Sequence, residues 1–375
     1  MTTSNRADVA VIGAGIVGLA HALAAARRGH KVVLFERNQR AVGASIRNFG
    51  LVWPIGQPEG PLYERALRSR EIWLDVAVRS GIWFAECGSL HLAYQRDESD
   101  VLEEYLETTP AAREQGCELL SPDAVAMKSS VAKTDGLLCA LWSPTELNVD
   151  PRQAIPAIAE MLEREHEIEL RFGTTVSGID MPLVETTTET WRVDRVFVCS
   201  GDDFETLYPR VFAESGITRC KLQMLRTVPQ PDGWRLGPSL CAGLTLLHYR
   251  AFEHCEDLGA VRERVEREMP YYAENHIHVL LSQTALGELV IGDHHEYGLT
   301  HDPFVREEIN QAILRYLETF ASAPSLGIAE RWHGVYPLLE GSSDLVVHPE
   351  PGVTVVNGLG GAGMTLSFGL AEENV

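Results

Sequence analysis

The chain is poor in positive charge. It carries 32 Lys and Arg residues against 53 Asp and Glu residues, which gives a formal net charge of −21 at pH 7. This excess disfavours nucleic acid and anionic membrane surfaces as partners, because both would be repelled. An anionic small substrate is compatible with it if arginines are concentrated at the pocket.

Paired cysteines are also missing. The seven cysteines are odd in number and scattered, and they form no Cys-x-x-Cys pair. This pattern is typical of reduced thiols and predicts a cytoplasmic protein without a disulfide framework.

A long hydrophobic run occurs once, at 9–26, where His21 is the one polar side chain. Its length approaches that of a membrane-spanning helix. Glycines at fixed intervals and a charged strand after the run argue against that interpretation. Arg6 alone ahead of the run does not make a secretory signal. We therefore expect no membrane partner.

The same run opens a strand–turn–helix–strand pattern. An apolar strand at 9–12 enters a glycine turn, a helix-like stretch follows to Arg27, and a second strand at 31–35 ends on Glu36. A G-x-G-x-x-G turn lets the backbone approach a pyrophosphate at a helix N-terminus, and the acid accepts hydrogen bonds from a ribose. The alternative is a tight strand-to-helix turn without a ligand. The predicted cofactor residues are Gly13, Ala14, Gly15, Ile16, Val17, Gly18, Glu36 and Arg37.

A second glycine cluster lies near the C-terminus. A strand at 352–357 leads into Gly360, Gly361, Ala362, Gly363, Met364 and Thr365, which open a final helix. The cluster matches G-x-G-x-x-G literally, but only 12 residues follow Gly363, too few for another strand and its acid. It can instead direct a helix N-terminus at a cofactor and, if that is a flavin, stabilise negative charge on the reduced ring. An ordinary glycine-rich turn is the alternative.

Between these motifs, apolar periodicity and capping signals predict mixed α/β structure. An apolar strand at 193–198 closes on Ser200 and Gly201, as expected for a further parallel strand of the first sheet. Short strands with turns over 221–297 predict a second, largely antiparallel domain. The predicted helices span about 61–80, 98–107, 151–165, 257–268 and 303–320.

Together, the N-terminal glycine turn with Glu36, the Gly43-Ala44-Ser45 loop, the strand and turn at 196–201 and the terminal glycine helix resemble the D-amino acid oxidase (DAO) superfamily, which includes glycine oxidase and sarcosine oxidase. The resemblance implies an α/β fold with a Rossmann-like FAD-binding domain of the glutathione-reductase type and a largely antiparallel α+β substrate domain. The first would comprise 1–84, 145–215 and 325–375, and the second 85–144 and 216–324. It further implies cofactor contacts from Ala44, Ser45, Arg47, Asn48, Val176, Ser200 and Gly201.

The chemistry implied by the resemblance is oxidation of a carbon–nitrogen bond, with hydride passing to flavin N5 and hydrolysis of the imine. Two departures restrict it. Amino-acid oxidases of this group grip the substrate carboxylate with the arginine of a Trp-x-Gly-x-Arg-Pro segment, whereas Trp332–Pro337 places Tyr336 there. Sarcosine-oxidase types attach flavin through a late cysteine, whereas no cysteine follows Cys255. We therefore expect noncovalent FAD.

The run from Ser45 to Pro54 is similar to a bacterial subgroup associated with phosphonate breakdown, and the resemblance implies an aminophosphonate substrate. A phosphonate needs cationic or hydroxyl donors around its three oxygens. The candidate substrate or catalytic residues are Arg47, Tyr336, His294, Arg250 and Tyr249, with Arg226 as a further donor. Candidates for removing the ammonium proton are His294, His295 and His333.

No metal site is expected at Asp293-His294-His295-Glu296, because adjacent residues on a strand point to opposite faces. Arg250 is expected on a strand of the substrate domain. Alternative functions are a glycine, sarcosine or D-amino acid oxidase or dehydrogenase, and a non-catalytic flavin-binding protein. A nicotinamide-linked dehydrogenase is disfavoured, since it leaves the C-terminal glycine helix without a purpose. We expect the reduced flavin to pass its electrons to oxygen or to an acceptor that the sequence does not identify. We also expect a monomer or small homo-oligomer.

Overall fold

A computed structural model describes residues 5–375. Its first sheet has six strands, of which the first five are parallel and the sixth antiparallel. The central strands are buried on both faces, as the unbroken runs of Val, Ile, Leu and Phe require. In spatial order the strands are Glu169–Phe172, Val32–Glu36, Val9–Ile12, Arg195–Val198, Val353–Asn357 and Leu345–Glu350.

Helices cover one face of this sheet. Their apolar sides share one buried core with alternate residues of the strands, so the first and last segments of the chain are packed together. Asp150 caps one of them, accepting a hydrogen bond from the Arg152 N–H (3.1 Å). These helices are Ile16–Arg27, Pro61–Ser80, Pro151–His166 and Gly363–Asn374.

The opposite face is covered by a small four-stranded sheet and the short helix Pro209–Ser215. Trp191 of this layer packs edge-on against Phe35 of the six-stranded sheet, with ring centroids 5.8 Å apart. The four strands are Asn5–Arg6, Thr190–Arg192, Leu183–Thr186 and Val176–Asp180. A three-stranded sheet of Leu51–Val52, Leu147–Val149 and Phe84–Ala85 links the two halves of the molecule.

A nine-stranded sheet forms the second half. One neighbouring pair, Ser239–Ala242 with Ser89–Ala93, is parallel, and the other pairs are antiparallel. Its strands are, in spatial order, Glu296–Gly298, Thr218–Thr227, Leu289–Gly292, Leu280–Gln283, Ser239–Ala242, Ser89–Ala93, Cys139–Ser143 and Glu118–Leu120, with Ile328–Leu338 also paired to Thr218–Thr227.

Helices pack on the large sheet around its own core. The helix Glu307–Phe320 buries one apolar side and exposes an acidic first turn. The others are Arg96–Thr108, Pro110–Glu114, Pro122–Lys128, Leu258–Glu268 and Pro270–Glu274, and 3-10 turns occur at Ala44–Ile46, Pro54–Gly56, Gly243–Leu247, Arg250–Phe252 and Gly360–Ala362.

The α/β class with a Rossmann-like sheet and a second, largely antiparallel part is confirmed. The domain boundaries stay a prediction, and residues 1–4 of the segment 1–84 lie outside the described residues. Strand Ile328–Leu338 belongs to the predicted FAD-binding segment 325–375, yet it pairs along its length with Thr218–Thr227 of the large sheet. The chain therefore crosses between the two sheets beyond residue 338.

Candidate FAD and substrate site

An elongated cavity of about 490 Å³ joins the two halves of the molecule. One end lies at the carboxyl ends of the parallel strands, beside Glu36, and the other reaches the large sheet, beside Tyr336. Of the predicted cofactor residues, those lining it are Gly13, Gly15, Ile16, Val17, Glu36, Arg37, Ala44, Ser45, Arg47, Asn48, Val176, Ser200, Gly201, Gly360, Gly361, Gly363 and Met364.

The N-terminal glycine turn packs so closely against neighbouring backbone that Gly13 and Gly18 leave no room for a side chain. A Cβ on Gly13 would lie 2.3 Å from the Cys199 carbonyl oxygen, and one on Gly18 would lie 1.8 Å from the Gly13 oxygen. Gly13 also has φ +106°, which L-residues rarely adopt. The turn thus holds the helix against the sheet and leaves its N-terminus facing the cavity, as a dinucleotide requires.

Two of the predicted cofactor residues, Glu36 and Ser45, have polar side chains that accept hydrogen bonds from the backbone around the glycine turn. Glu36 accepts hydrogen bonds from the Ala14 N–H (3.1 Å) and from the Asn38 N–H (3.0 Å). Ser45 Oγ accepts one from the Ile16 N–H (2.9 Å), at the first turn of the helix. An acid at the strand end and a hydroxyl at the helix N-terminus match the donors and acceptors of a ribose and a pyrophosphate.

Asn48 is mainly a brace within its loop. Its amide donates to the carbonyls of Ala44 and Ser45 (both 3.0 Å), and its Oδ1 accepts from the Gly50 N–H (2.8 Å). These bonds use its polar atoms, so Asn48 fixes the loop that carries Arg47 along the cavity.

The C-terminal glycine cluster begins the last helix at the cavity wall. Gly360 has φ +57°, and the 3-10 turn Gly360–Ala362 runs directly into helix Gly363–Asn374. The Trp73 indole N–H anchors this start by donating to the Met364 oxygen (2.7 Å). Ala14, Gly18, Ala362 and Thr365 do not line the elongated cavity, and the Thr365 hydroxyl instead accepts from the Trp53 N–H (2.9 Å).

Arg47, Tyr249 and Tyr336 all line the cavity. Two hydrogen bonds to strand Ile328–Leu338 hold Arg47. Its backbone oxygen accepts from the Trp332 indole N–H (3.1 Å), and its guanidinium donates to the His333 oxygen (3.4 Å). The Tyr336 hydroxyl lies beside the terminal glycine turn, since a Cβ on Gly361 would be 3.7 Å from it. Burial raises the pKa of both tyrosines far above the ordinary value, so both remain hydroxyl donors.

Two predicted substrate residues lie elsewhere. His294 does not line the elongated cavity. It lies in the connection between strands Leu289–Gly292 and Glu296–Gly298, where its Nδ1 accepts from the Gln223 N–H (3.1 Å) and its Nε2 lies 3.4 Å from Glu296. Arg250 lies in a 3-10 turn rather than on a strand, where it donates to the Ser343 hydroxyl (3.0 Å). It lines an adjoining cavity of about 580 Å³. Neither residue lines the elongated cavity, and the expectation that Arg250 lies on a strand is wrong.

Of the other histidines, His333 and His295 do line the elongated cavity. Burial lowers the pKa of both, that of His295 to about 4. Both rings are therefore neutral near pH 7. Arg226 is not a cavity residue and lies 3.5 Å from Glu288.

One cluster of side chains was not predicted from the sequence. His248, His278 and His295 lie together at the cavity wall, with Asp293 beside them. The available signal was a His at each end of a predicted hairpin, at 278 and 295, because antiparallel pairing of its strands brings such ends together. His248 arrives from a turn far away in the sequence and had no comparable signal.

A family model described as DAO, FAD dependent oxidoreductase, matches residues 8–374. The chain belongs to the DAO family of FAD-dependent oxidoreductases. Its cofactor is FAD, and the glycine turn, Glu36 and the elongated cavity fit that cofactor.

Individual relatives of this DAO-family chain are distant. Over 164 residues it is 28% identical to a glycine oxidase of Geobacillus kaustophilus (strain HTA426), an alignment covering 42% of this chain and 43% of that protein. A second match, to a tRNA-modifying bifunctional protein of Shewanella amazonensis (strain ATCC BAA-1098 / SB2B), covers 16% of that protein at 28% identity. The chain thus spans less than half the length of the curated relatives it matches.

Solved structures share the whole fold. The L-proline dehydrogenase from P. horikoshii has a TM-score of 0.79 at 21% identity, covering 98% of this chain and 92% of that one. Glycine oxidase from Geobacillus kaustophilus has a TM-score of 0.75 at 22% identity, covering 99% and 94%. Iminodiacetate oxidase from Chelativorans sp. BNC1 has a TM-score of 0.70 at 20% identity, covering 97% and 93%. Within residues 5–375, no helix is both long and apolar enough to cross a membrane.

Proposed function

We propose that this DAO-family oxidoreductase oxidises the carbon–nitrogen bond of a small anionic amine, specifically an aminophosphonate such as 2-aminoethylphosphonate or its N-methyl or hydroxy derivative. The observation that carries this proposal is that Arg47 and Tyr336 both line the cavity, where the related amino-acid oxidases are expected to use a single arginine. A guanidinium and a hydroxyl approaching from different elements suit three tetrahedral oxygens better than a planar carboxylate.

Bound FAD supplies the acceptor for a hydride from the carbon that bears the nitrogen. The chain's own residues hold the substrate and manage its protons. Tyr336 and Tyr249 remain protonated and donate hydrogen bonds to anionic oxygens. His333, neutral and beside Arg47, is placed to take the ammonium proton so that the free amine reacts. Water completes the reaction by hydrolysing the imine to an aldehyde and the released amine.

Amino-acid oxidation is the second candidate. It is favoured by the likeness to structures described as glycine oxidase, L-proline dehydrogenase and iminodiacetate oxidase. In that case Arg47 would have to bind the carboxylate in place of the arginine that Tyr336 replaces.

The experiment is an anaerobic absorption spectrum of the purified flavoprotein before and after each of five amines: 2-aminoethylphosphonate, its N-methyl derivative, glycine, sarcosine and D-alanine. Bleaching of the flavin band by the phosphonates alone supports the proposal. Bleaching by the carboxylates alone establishes the second candidate. If no amine bleaches a flavin that dithionite does reduce, the protein binds flavin without this activity.

We further propose a cytoplasmic location, noncovalent FAD, oxygen or another acceptor for reoxidation with hydrogen peroxide formed from oxygen, and a monomer or small homo-oligomer. The seven cysteines are free thiols, five of them buried, which suits a reducing compartment. The thiol lining the elongated cavity, Cys199, is buried under Gly13, and burial raises its pKa, which disfavours a thioether to flavin there.

A further inference from the structure

Three histidines form a cluster in the wall of the elongated cavity. One nitrogen from each of His248, His278 and His295 lies within 4.8 Å of the other two. His278 and His295 flank the hairpin of strands Leu280–Gln283 and Leu289–Gly292, and His248 follows the turn Gly243–Leu247. Three imidazoles from three segments are thus held at one point by strands and a turn.

Asp293 adds a carboxylate to the cluster. Its backbone and that of His278 exchange both ladder hydrogen bonds, at 2.8 and 3.2 Å, so the two side chains are fixed relative to each other. One carboxylate oxygen lies 3.1 Å from His278 Nε2 and the other lies 3.9 Å from His295 Nε2. Asp293 and His278 are both nearly inaccessible to solvent.

The tautomer of His295 is fixed by its other nitrogen. Its Nδ1 lies 3.2 Å from the His276 oxygen and must carry the hydrogen, because a carbonyl only accepts. Nε2, which lies 3.9 Å from the Asp293 carboxylate, is then the nitrogen available to a ligand. A cation between these two groups would be bound by both. A backbone carbonyl that orients the ring in this way is also the usual outer partner of a metal-binding histidine.

The cluster also contains buried polar atoms without partners. Both ring nitrogens of His278 and one oxygen of Asp293 make no hydrogen bond, although the Nε2–Oδ1 distance is short. Buried polar atoms are rarely left unpaired in proteins. The unpaired atoms belong to His278 and Asp293, whose backbones are joined by two hydrogen bonds.

We propose that His248, His278 and His295 bind a divalent transition-metal ion such as Zn²⁺, with the Asp293 carboxylate beside His278 and His295 balancing its charge. Imidazole and carboxylate ligands suit this class of ion. Zn–N bonds of about 2.0–2.1 Å place the nitrogens about 3.4 Å apart. The three rings are stacked, with centroids 3.9, 4.6 and 5.2 Å apart, so metal binding requires them to rotate out of this stack. The proposal needs neither flavin nor amine and goes beyond the function proposed above.

The test measures metal on the purified flavoprotein, prepared without a polyhistidine tag. Protein is treated with EDTA, dialysed and titrated with Zn²⁺ by calorimetry, and metal content is measured by elemental analysis. The variants are His278→Asn and Asp293→Asn, each chosen for similar size. His333→Asn is the matched control, because His333 lines the same cavity outside the cluster. Flavin absorbance and the melting temperature establish that each variant is folded.

We expect one Zn²⁺ per chain in the wild type and in His333→Asn, and affinity lower by about tenfold or more in both cluster variants. Equal Zn²⁺ affinity in wild type and Asp293→Asn, or no stoichiometric binding by the folded wild type, would overturn the proposal. The second result would leave the cluster as buried histidines packed beside the Asp293 carboxylate, without a bound ion. If a cluster variant fails to fold, the wild-type stoichiometry and the other variant still decide. Flavin bleaching by amines is a separate readout, so the two proposals can fail independently.

Discussion

The imidazole of His21 joins the first long helix to the last one through Asn374. Its Nδ1–H donates to the Val17 oxygen (2.7 Å), and its Nε2 accepts from the Asn374 amide (3.1 Å). His21 is completely buried and packs against Phe197 with ring centroids 5.0 Å apart. Both bonds are satisfied by the neutral ring, and a second ring proton would point at the amide hydrogens.

The first prediction concerns acid stability. Burial lowers the pKa of His21 from 6.5 to about 4, so protons bind this ring more tightly in the unfolded chain. The neutral His21 ring therefore contributes fully to the free energy of unfolding above pH 6.5, and this contribution is lost as the pH falls from 6.5 towards 4. The shift corresponds to about 3 kcal/mol. We expect the free energy of unfolding, measured by urea titration at several pH values, to fall over this interval.

The variant His21→Gln tests the assignment, because an amide keeps hydrogen-bonding capacity and does not titrate. It should be less stable than the wild type at pH 8 and should lose less stability on acidification, so that the two curves converge towards pH 4. Parallel curves from pH 8 to pH 4 would show that His21 is not responsible. Burial also lowers the pKa of His91 and His295, so some acid sensitivity remains in the variant.

The second prediction concerns the glycine turn. In Gly18→Ala the new Cβ would lie 1.8 Å from the Gly13 oxygen and 3.3 Å from Val11. The first helix must then move off the sheet, and the FAD-binding turn opens with it. We expect protein that is purified largely without flavin or does not fold, read from the ratio of flavin to protein absorbance and from the melting temperature.

Gly259→Ala is the matched control. Gly259 lies on the exposed side of helix Leu258–Glu268, and no atom lies within 4 Å of the position of a new Cβ. Alanine should leave flavin content unchanged and raise stability by up to about 1 kcal/mol, since it favours the helix. Normal flavin content in Gly18→Ala would contradict the role given to the turn.

The sequence predicted the parts of the molecule that local patterns determine. Helix Pro61–Ser80 has the predicted bounds, because a proline at its start, a glycine after its end and apolar periodicity mark it. The glycine turn and Glu36 meet at the cavity because parallel strands end at one edge of a sheet. The small sheet over 176–192 was not predicted, since its short strands carry polar, half-exposed residues.

The substrate end was harder to predict, because its residues come from distant segments. Arg47 and Tyr336 were named from their motifs, and both line the cavity. His294 was preferred to His295, but it is His295 that lines the cavity. Both lie in the short connection between two strands, where an alternating sequence pattern does not indicate which side chain faces the cavity. The contact of His248 with His278 depends on a turn that leaves no periodic signal.

The third prediction concerns Tyr336. In Tyr336→Phe the ring still fills its buried place and only the hydroxyl donor is lost. Loss of one hydrogen bond to the anion, worth about 1–2 kcal/mol, should lower kcat/KM for 2-aminoethylphosphonate roughly 5- to 30-fold. Steady-state kinetics measure the change, and activity on sarcosine is followed in parallel. An unchanged kcat/KM in a variant with full flavin content would show that the hydroxyl does not bind the anion.

The fourth prediction separates two arginines. Arg47→Ala removes a guanidinium from the cavity, and a charge-assisted contact of about 1.5–3 kcal/mol corresponds to roughly a 10- to 150-fold loss of kcat/KM. Arg250→Ala removes the same group from the adjoining cavity, where it is partly exposed and bonded to Ser343. We expect a change below about threefold there. The comparison is made at equal flavin content, because the Arg47 loop also touches the cofactor end. Similar losses in both variants would indicate a general electrostatic effect, and a loss in Arg250→Ala alone would move the anion site to the adjoining cavity.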